Sequence, residues 1–554
     1  ESEKPAVNDA GGQSPVPCEP SRRSRLYCAV VDWRGVIERV AVAPDAAEAP
    51  GLDEQGRLKT GRLKGLTMSA AIWTLSWPIV TESFLNWLVG MTDTVIAAEL
   101  GVAVTDAIAI AAYVMWFIGL IAMAIGLGAT AMVSRSVGRG RLAVANACVG
   151  QALLLAAIGG GTVAALVAVL AGPVGDVMFL VNQDAAQFAE LGPDEQSLAI
   201  ERGQVAAAAF ADYMRIIAFA TPMASVLFAG IACIRGAGDS IKPLGVMALV
   251  NGINALASYA LSGADIGGYA NPFRETLGLD MGVRGVAIGT AGAHIVGCIA
   301  VLVVLARGVG GVRLIGRRLR PHSHTIRRLV RVALPNFIET VGMWVGNFAV
   351  VLIVGALGMI GGALGAHLIT IRIEAISFLP GFAMSMAAAT LAGQYLGAGS
   401  RRGATRAVLI CTGISTVIMG VFGLLLMLIP RTLTALISDQ PEHLELAPPL
   451  LFVIGAVQVP FALAITIRGA LRGAGDTRVV MIITWVTTYL VRLPLVYALS
   501  GVDLPLPNGE VFDNPFRDEV SLTGVWLAMS IELVIRCLIF IWRFWQGGWA
   551  ETRV

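Results

Sequence analysis

Long apolar runs separated by short polar loops fill the chain from about Leu66 onward. A run of about 20 apolar residues is long enough to cross a bilayer as a helix. Twelve such runs are present, roughly 69–98, 106–134, 143–171, 205–234, 241–262, 284–306, 329–356, 361–392, 404–429, 446–471, 478–500 and 522–545. Several exceed 25 residues, so tilt or protrusion from the bilayer is expected. Residues 1–65 differ: they are mixed, rich in Pro and Ala, and lack a long apolar run or a secretory h-region. They are expected to form a cytoplasmic extension, partly disordered, with room for a short element around "LYCAVVDWRGVIERVAV".

Loop charges alternate in sign. One set holds Arg135, Arg139 and Arg141, then Arg235 and Lys242, then seven arginines from Arg307 to Arg328, then Arg401, Arg402 and Arg406, then Arg472 and Arg478. The other set is acidic, with Asp176, Asp184, Glu190, Asp194 and Glu195, then Asp439, Glu442 and Glu445, then Asp503, Glu510, Asp513, Asp518 and Glu519. The positive-inside rule then puts both termini in the cytoplasm and the spans in the cell (inner) membrane. Composition agrees: 56% of residues are hydrophobic and 14% charged, against about 25% charged in soluble domains. The 64 glycines suit helices packed closely in lipid. No phosphate-binding G-x-x-x-x-G-K-[ST] loop is present. The seven cysteines form no C-x-x-C pair, and the five histidines form no H-E-x-x-H motif. No cofactor, no nucleic-acid partner and no enzymatic activity are expected.

The chain repeats itself. "WPIVTESFLNWLVG" (77–90) parallels "LPNFIETVGMWVGN" (334–347), matching Pro78 with Pro335, Glu82 with Glu339 and Trp87 with Trp344. "SRSVGRGR" (134–141) parallels "GQYLGAGS" (393–400), and "IRGAGDS" (234–240) parallels "LRGAGDT" (471–477). Each half then holds six spans of parallel topology, related by an axis along the membrane normal. This organisation is found in secondary transporters, with a site between the halves. The expected boundaries are a first lobe at 66–308, a basic linker at 309–328, a second lobe at 329–548 and a tail at 549–554.

Ionisable groups inside a span are costly and mark pathways. Glu82 and Asp93 lie eleven residues apart in the first span, about 20° past three helical turns, so they share a face. Asn86 lies on the same stripe, and the two acids are separated by roughly 16 Å along the axis. The stripe is expected to face a cavity, Glu82 near mid-membrane and Asp93 in the outer half. A carboxylate there can take Na⁺ with carbonyl and amide oxygens, or bind and release a proton. Matched prolines put Glu82 and Glu339 at equivalent depths, so they are expected to face one another. Glu532 and Arg536 stand at the i,i+4 spacing of an intrahelical pair. Arg492 reads as an anchor or a counter-charge.

"GMTDT" in the first span, "SRSVGRG" after the second, "RGAGDS" and "RGAGDT" after the fourth and tenth, and "TGVWLAMSIELVIRCLIFIWRFWQGGW" at the end resemble the multidrug and toxic compound extrusion (MATE) family, in particular its DinF-like branch. The resemblance covers about 65–548. It implies an all-α integral membrane protein with twelve transmembrane helices in two pseudo-twofold-related six-helix lobes around a V-shaped cavity. It also implies an antiporter that exports amphipathic, often cationic, organic compounds against Na⁺ or H⁺. Where DinF-like members often carry Asn-x-x-Asn-x-x-x-Asp in the fifth span, this chain has Asn251, Asn254 and Ser258. The first-lobe site would therefore hold only Asp93.

These considerations assign ion coupling to Asp93, Asn254, Glu82 and Glu339, with a possible Na⁺ at Asp93. Asn86, Trp87, Asn251, Trp344, Asn347 and Glu374 are assigned to the substrate cavity. Arginines clustered in the loops and a mainly acidic interior favour cationic solutes. The alternatives are a flippase for lipid-linked precursors, which would need a cavity rich in Arg and Lys, and a non-transporting scaffold. The expected partners are small organic substrates and membrane lipid, with the protein a monomer.

Overall fold

The structure, a computed structural model, describes residues 49–181, 192–266, 269–357, 362–505, 511–512, 514–516 and 519–552. The short element expected at 26–42 lies outside them. The first half runs through α1 (Met68–Glu99), α2 (Val102–Gly138), α3 (Leu142–Asp176), α4 (Pro193–Gly236), α5 (Ile241–Ser262), a short α6 (Pro272–Leu277) and α7 (Gly282–Arg307). The second half runs through α8 (Ser323–Gly355), α9 (Ala363–Ala398), α10 (Arg401–Leu428), a short α11 (Pro430–Ala435), α12 (Pro441–Ala456), α13 (Gln458–Ala474), α14 (Thr477–Thr487), α15 (Leu493–Ser500) and α16 (Leu522–Gln546). Two-residue strands, β1 (Leu504–Pro505) and β2 (Val511–Phe512), pair antiparallel between α15 and α16.

Among the described residues, ten helices are long and apolar enough to cross a membrane, or eleven if the bent pair α12–α13 is one span. The expected twelve are therefore not reproduced by length and apolarity alone. Helix α1, at 32 residues, is long enough but falls outside the ten, because Glu82, Asn86, Asp93 and its threonines dilute its apolar character. Val169, Leu256, Val417 and Leu428 are among the large apolar side chains left exposed on the helices. In a multi-pass membrane protein such side chains meet lipid.

Prolines account for two departures from straight spans. The run at 446–471 is broken into α12 and α13, which meet at 57°. Pro460 gives no N–H to the carbonyl of Ala456 and its ring crowds that carbonyl. Similarly, α14 passes into α15 through a π turn at Thr488–Arg492, where Pro494 cannot bond back to Leu490. Helix α4 begins at Pro193, well before the expected 205, and a proline at the first helical position sacrifices no intrahelical bond.

Packing repeats between the halves. Helix α1 packs on α5, as α8 does on α14; α2 packs on α4, as α9 does on α13; α4 packs on α7, as α13 does on α16. The halves meet chiefly through α2 against α9, with α2 on α8 and α1 on α9 beside it. The meeting lies toward the end that holds the arginine-rich turns. A Cβ on Gly138 would strike the backbone carbonyl of Gln394, and one on Gly397 would strike that of Arg135. Gln394 also donates from Nε2 to the carbonyl of Gly236 at 3.1 Å. Farther along, Ile79 of α1 reaches Ala383 and Met386 of α9. Beyond that level Asn86, Trp87 and Phe348 are exposed.

A strap ahead of α1 covers the same end. Leu52, Leu58 and Leu63 are buried. The Gly51 N–H donates to Ala398 O in the second half at 3.2 Å, and Thr60 Oγ1 donates to Val137 O in the first at 2.6 Å. Arg62 stands 3.7 Å from Asp239. The expected cytoplasmic extension thus contains, from residue 49, chain packed against both halves.

The backbone contact at Gly138 predicts a sharp asymmetry between glycines. Gly138→Ala should force α2 and α9 apart and cost about 1–3 kcal/mol, the usual range for overpacking. Gly161→Ala, whose Cβ meets nothing within 4 Å, should not lower stability. Thermal unfolding of the two variants in detergent checks this, and equal midpoints would contradict the seam.

Candidate functional site

Two polar clusters occupy the helix interiors, one in each half. In the first, α1 contributes Asp93, half-buried, whose Oδ1 is shielded from solvent and has no hydrogen-bond partner among the described residues. Helix α5 contributes Asn251 and Asn254, both buried. Asn251 donates from Nδ2 to Asn86 Oδ1 at 2.9 Å, tying α1 to α5. Asn254 donates from Nδ2 to Thr290 Oγ1 on α7 at 2.8 Å, while its Oδ1 is buried without a partner. Buried Tyr213 of α4 lies against Thr290 and within electrostatic range of Asp93. The cluster therefore offers two unfilled acceptor oxygens, one of them a carboxylate. Buried acceptors normally find a donor or a cation.

Ser258 stands where DinF-like members often carry an acid, and it is packed tightly against α7. It is fully buried and donates to Val286 O at 3.3 Å. A Cβ on Gly289 would lie 2.6 Å from its Oγ, so α5 and α7 touch at this point. The first half holds Asp93 without a second carboxylate on α5.

The second cluster is a ladder of opposite charges. Glu532 is fully buried; Arg492 donates to it at 2.8 Å and Arg536 pairs with it at 2.6 Å. Arg492 also donates to Asn347 Oδ1 at 2.6 Å and lies within electrostatic range of Glu374 on α9. Arg536 donates to Thr487 at 3.0 Å and Thr488 at 2.9 Å. Glu339 is fully buried, 2.7 Å from Arg472 and 3.9 Å from Arg468, and accepts from Thr484 at 2.9 Å. The i,i+4 pair and the interhelical role of Arg492 are both present.

Glu82 and Glu339 do not face one another. Glu82 is held by Arg235, and Glu339 by Arg472. Each arginine belongs to the "RGAGD" turn of its own half. The two pairs are the same interaction repeated, so the carboxylates are held by guanidinium inside each half. The expectation of a mainly acidic interior also fails. Arg135, Arg472 and Arg536 are buried, and the side chains of Arg235, Arg468 and Arg492 are 12%, 17% and 12% exposed.

Trp87 is exposed and stacks on Phe84 at 6.0 Å between centroids. Trp344, Asn347 and Glu374 are half-buried in the second half. The substrate-cavity residues thus split into Asn86, Trp87 and Asn251 on one side and Trp344, Asn347 and Glu374 on the other. Thr290, Tyr213, Thr484, Arg468 and the partners Arg235 and Arg472 were missed. The repeat carried a signal for the last two. Glu82 and Glu339 are 257 residues apart, Arg235 and Arg472 are 237 apart, and acid and arginine recur together.

Comparison with known proteins agrees with this two-part architecture. The family model MatE matches twice, over residues 78–260 and 335–498, once in each half. The chain belongs to the MatE family. Members of the MatE family are transporters and not enzymes. The chain is 26% identical over 484 residues to Probable multidrug resistance protein NorM of Thermotoga maritima, covering 87% of this chain and 93% of that protein. It is 27% identical to the Rhodopseudomonas palustris protein of the same name over 186 residues, 33% of this chain and 36% of that one. Two solved structures show the same fold at 18% identity, each covering 88% of this chain and 97% of theirs. One, of a multidrug resistance MATE family transporter of the MOP superfamily in an outward-facing conformation, has a TM-score of 0.71. The other, of a MOP superfamily transporter from Pyrococcus furiosus, has a TM-score of 0.70.

The matched acid–arginine pairs make a stability prediction. Arg235→Gln strands Glu82, which is only 6% exposed, and should cost about 3–5 kcal/mol, the range for a broken buried pair. Adding Glu82→Gln to Arg235→Gln should restore part of that loss. A double-mutant cycle on unfolding midpoints measures the coupling, and simple additivity would mean that no pair exists.

Proposed function

We propose that this MatE protein is a multidrug-type exporter that moves amphipathic organic compounds out of the cell in exchange for Na⁺ or H⁺. The observation that carries the reading is the pair of unfilled acceptors at Asp93 and Asn254. Thr290 and Tyr213 complete a compact polar site in which a carboxylate can hold a monovalent ion. Glu82 and Glu339 have guanidinium partners and act as internal braces on this reading, leaving Asp93 as the coupling group. Asn86, Trp87 and Asn251 would contact substrate from one side and Trp344, Asn347 and Glu374 from the other. Preference for cationic solutes rests on Asp93. The flippase alternative draws less support, because among the interior helices Arg472, Arg492 and Arg536 are each bonded to a buried carboxylate and are not free to cradle a pyrophosphate between the halves.

Efflux of a fluorescent organic cation from proteoliposomes, under separately imposed Na⁺ and H⁺ gradients, tests the reading and identifies the ion. Asp93→Asn should abolish gradient-driven efflux while the unfolding midpoint stays at the wild-type value. Wild-type rates in that variant would remove Asp93 from the mechanism.

Orientation in the cell membrane follows from loop charge, with the arginine-rich end cytoplasmic. The five described cysteines are buried, so once Cys18 and Cys28 are replaced by Ser introduced thiols can be read with a membrane-impermeant maleimide. In intact cells Leu436→Cys, at a position 77% exposed, should label and Gly316→Cys should not. The reverse pattern would invert the topology.

A further inference from the structure

A cavity of about 780 Å³ opens at the arginine-rich end, away from both interior clusters. It is lined by Arg135 of α2 and Arg139 that caps it, by Arg327, Arg328 and Arg331 of α8, and by Glu551 and Thr552 at the end of the 3₁₀ turn Gly548–Glu551. The two helices come from different halves. Arg135 and Arg139 stand four residues apart at the C-terminal end of α2, and on α8 the arginines fall three and four apart together with His324, so the end of one helix and a basic face of the other line the same space. Among the described residues Glu551 is the single carboxylate in the lining, and it stands 3.7 Å from Arg401.

The guanidinium groups of Arg135, Arg139, Arg327 and Arg331 around one cavity repel one another, and an anion between them relieves that repulsion. Arg135 shows the need most directly. It is 7% exposed. It donates to Ala474 O at 3.0 Å and to Ala550 O at 3.4 Å, and also to Thr552 O at 2.5 Å. Its Nε is buried without an acceptor. Backbone carbonyls take up its N–H groups but supply no negative charge. Guanidinium forks match phosphate oxygens in geometry and charge, and basic pockets between helix ends at the membrane surface suit anionic headgroups.

We infer that this cavity is a binding site for an anion carrying two phosphate groups, gripped by α2 from one half and α8 from the other. The volume and the two opposed arginine faces exceed what a single phosphate can engage. Two sources share this chemistry: the headgroup of a dianionic phospholipid at the membrane surface, and a soluble diphosphate. A ligand held this way bonds both halves at the end where they meet.

The test uses the full chain and two probes, inorganic pyrophosphate in detergent and cardiolipin in phosphatidylcholine nanodiscs. Pyrophosphate should raise the unfolding midpoint of the wild type in a saturable manner. The exposed pair Arg327→Gln with Arg331→Gln should weaken that binding about tenfold or more, as expected for two lost charge-assisted contacts. Arg284→Gln, which lies outside the cavity and pairs with Asp212, should bind as wild type. Native mass spectrometry then identifies the source. Cardiolipin that is retained by the wild type, lost from the double variant and displaced by pyrophosphate assigns the site to the lipid headgroup. Pyrophosphate binding unaffected by cardiolipin assigns it to a soluble diphosphate. Absence of binding by both probes, or equal binding to wild type and the double variant, would overturn the site.

Discussion

Everything in this protein is arranged around the approach of α2 to α9 near one end. There the two backbones come so close that a single added carbon on Gly138 would lie 2.0 Å from the carbonyl oxygen of Gln394. Small residues permit such an approach, and in lipid, where apolar burial gives helices little reason to associate, close packing and hydrogen bonds must hold them. Gln394 adds a hydrogen bond from α9 to the first half. The seam closes one end and leaves Asn86 and Trp87, farther along α1, exposed.

Within each half the governing feature is a buried acid held by an arginine from a turn. An unpaired carboxylate inside a span is expensive, and Arg235 and Arg472 remove that cost for Glu82 and Glu339. The pairs tie α1 to α4 and α8 to α13, so the helices flanking the central space are braced from inside. Among the described residues Asp93 Oδ1 has no such partner. That contrast separates a structural carboxylate from one free to exchange a ligand.

Much of this was legible in the sequence, because hydropathy and repetition are properties of the chain itself. The apolar runs located nearly every long helix, and the matched prolines and acids located the two halves. The shared face of Glu82 and Asp93 located the polar stripe of α1. Other features depend on what a side chain reaches. Arg235 and Arg472 read as loop charges because they sit at helix ends, yet a long flexible stem lets the guanidinium extend inward as readily as outward. Glu82 and Glu339 hold equivalent places in the two halves, but each is claimed by an arginine of a neighbouring helix before it can meet the other. Pro460 lay inside an apolar run whose length concealed a break. Ser258 looked like a missing acid, and only the structure shows that it packs against Gly289 and donates to Val286 O, tying α5 to α7.

The strap ahead of α1 has a kinetic consequence. It bonds to Ala398 in one half and to Val137 in the other, so the halves cannot separate at that end while it keeps both attachments. Leu52, Leu58 and Leu63 are each at most 4% exposed, and uncovering one such side chain costs roughly 1.5–3 kcal/mol. Whatever part of the strap lifts away during opening adds its share to the activation barrier. On the exporter reading proposed above, strap residues such as Leu52, Leu58 and Leu63 would set how often the protein cycles without touching the transported molecule.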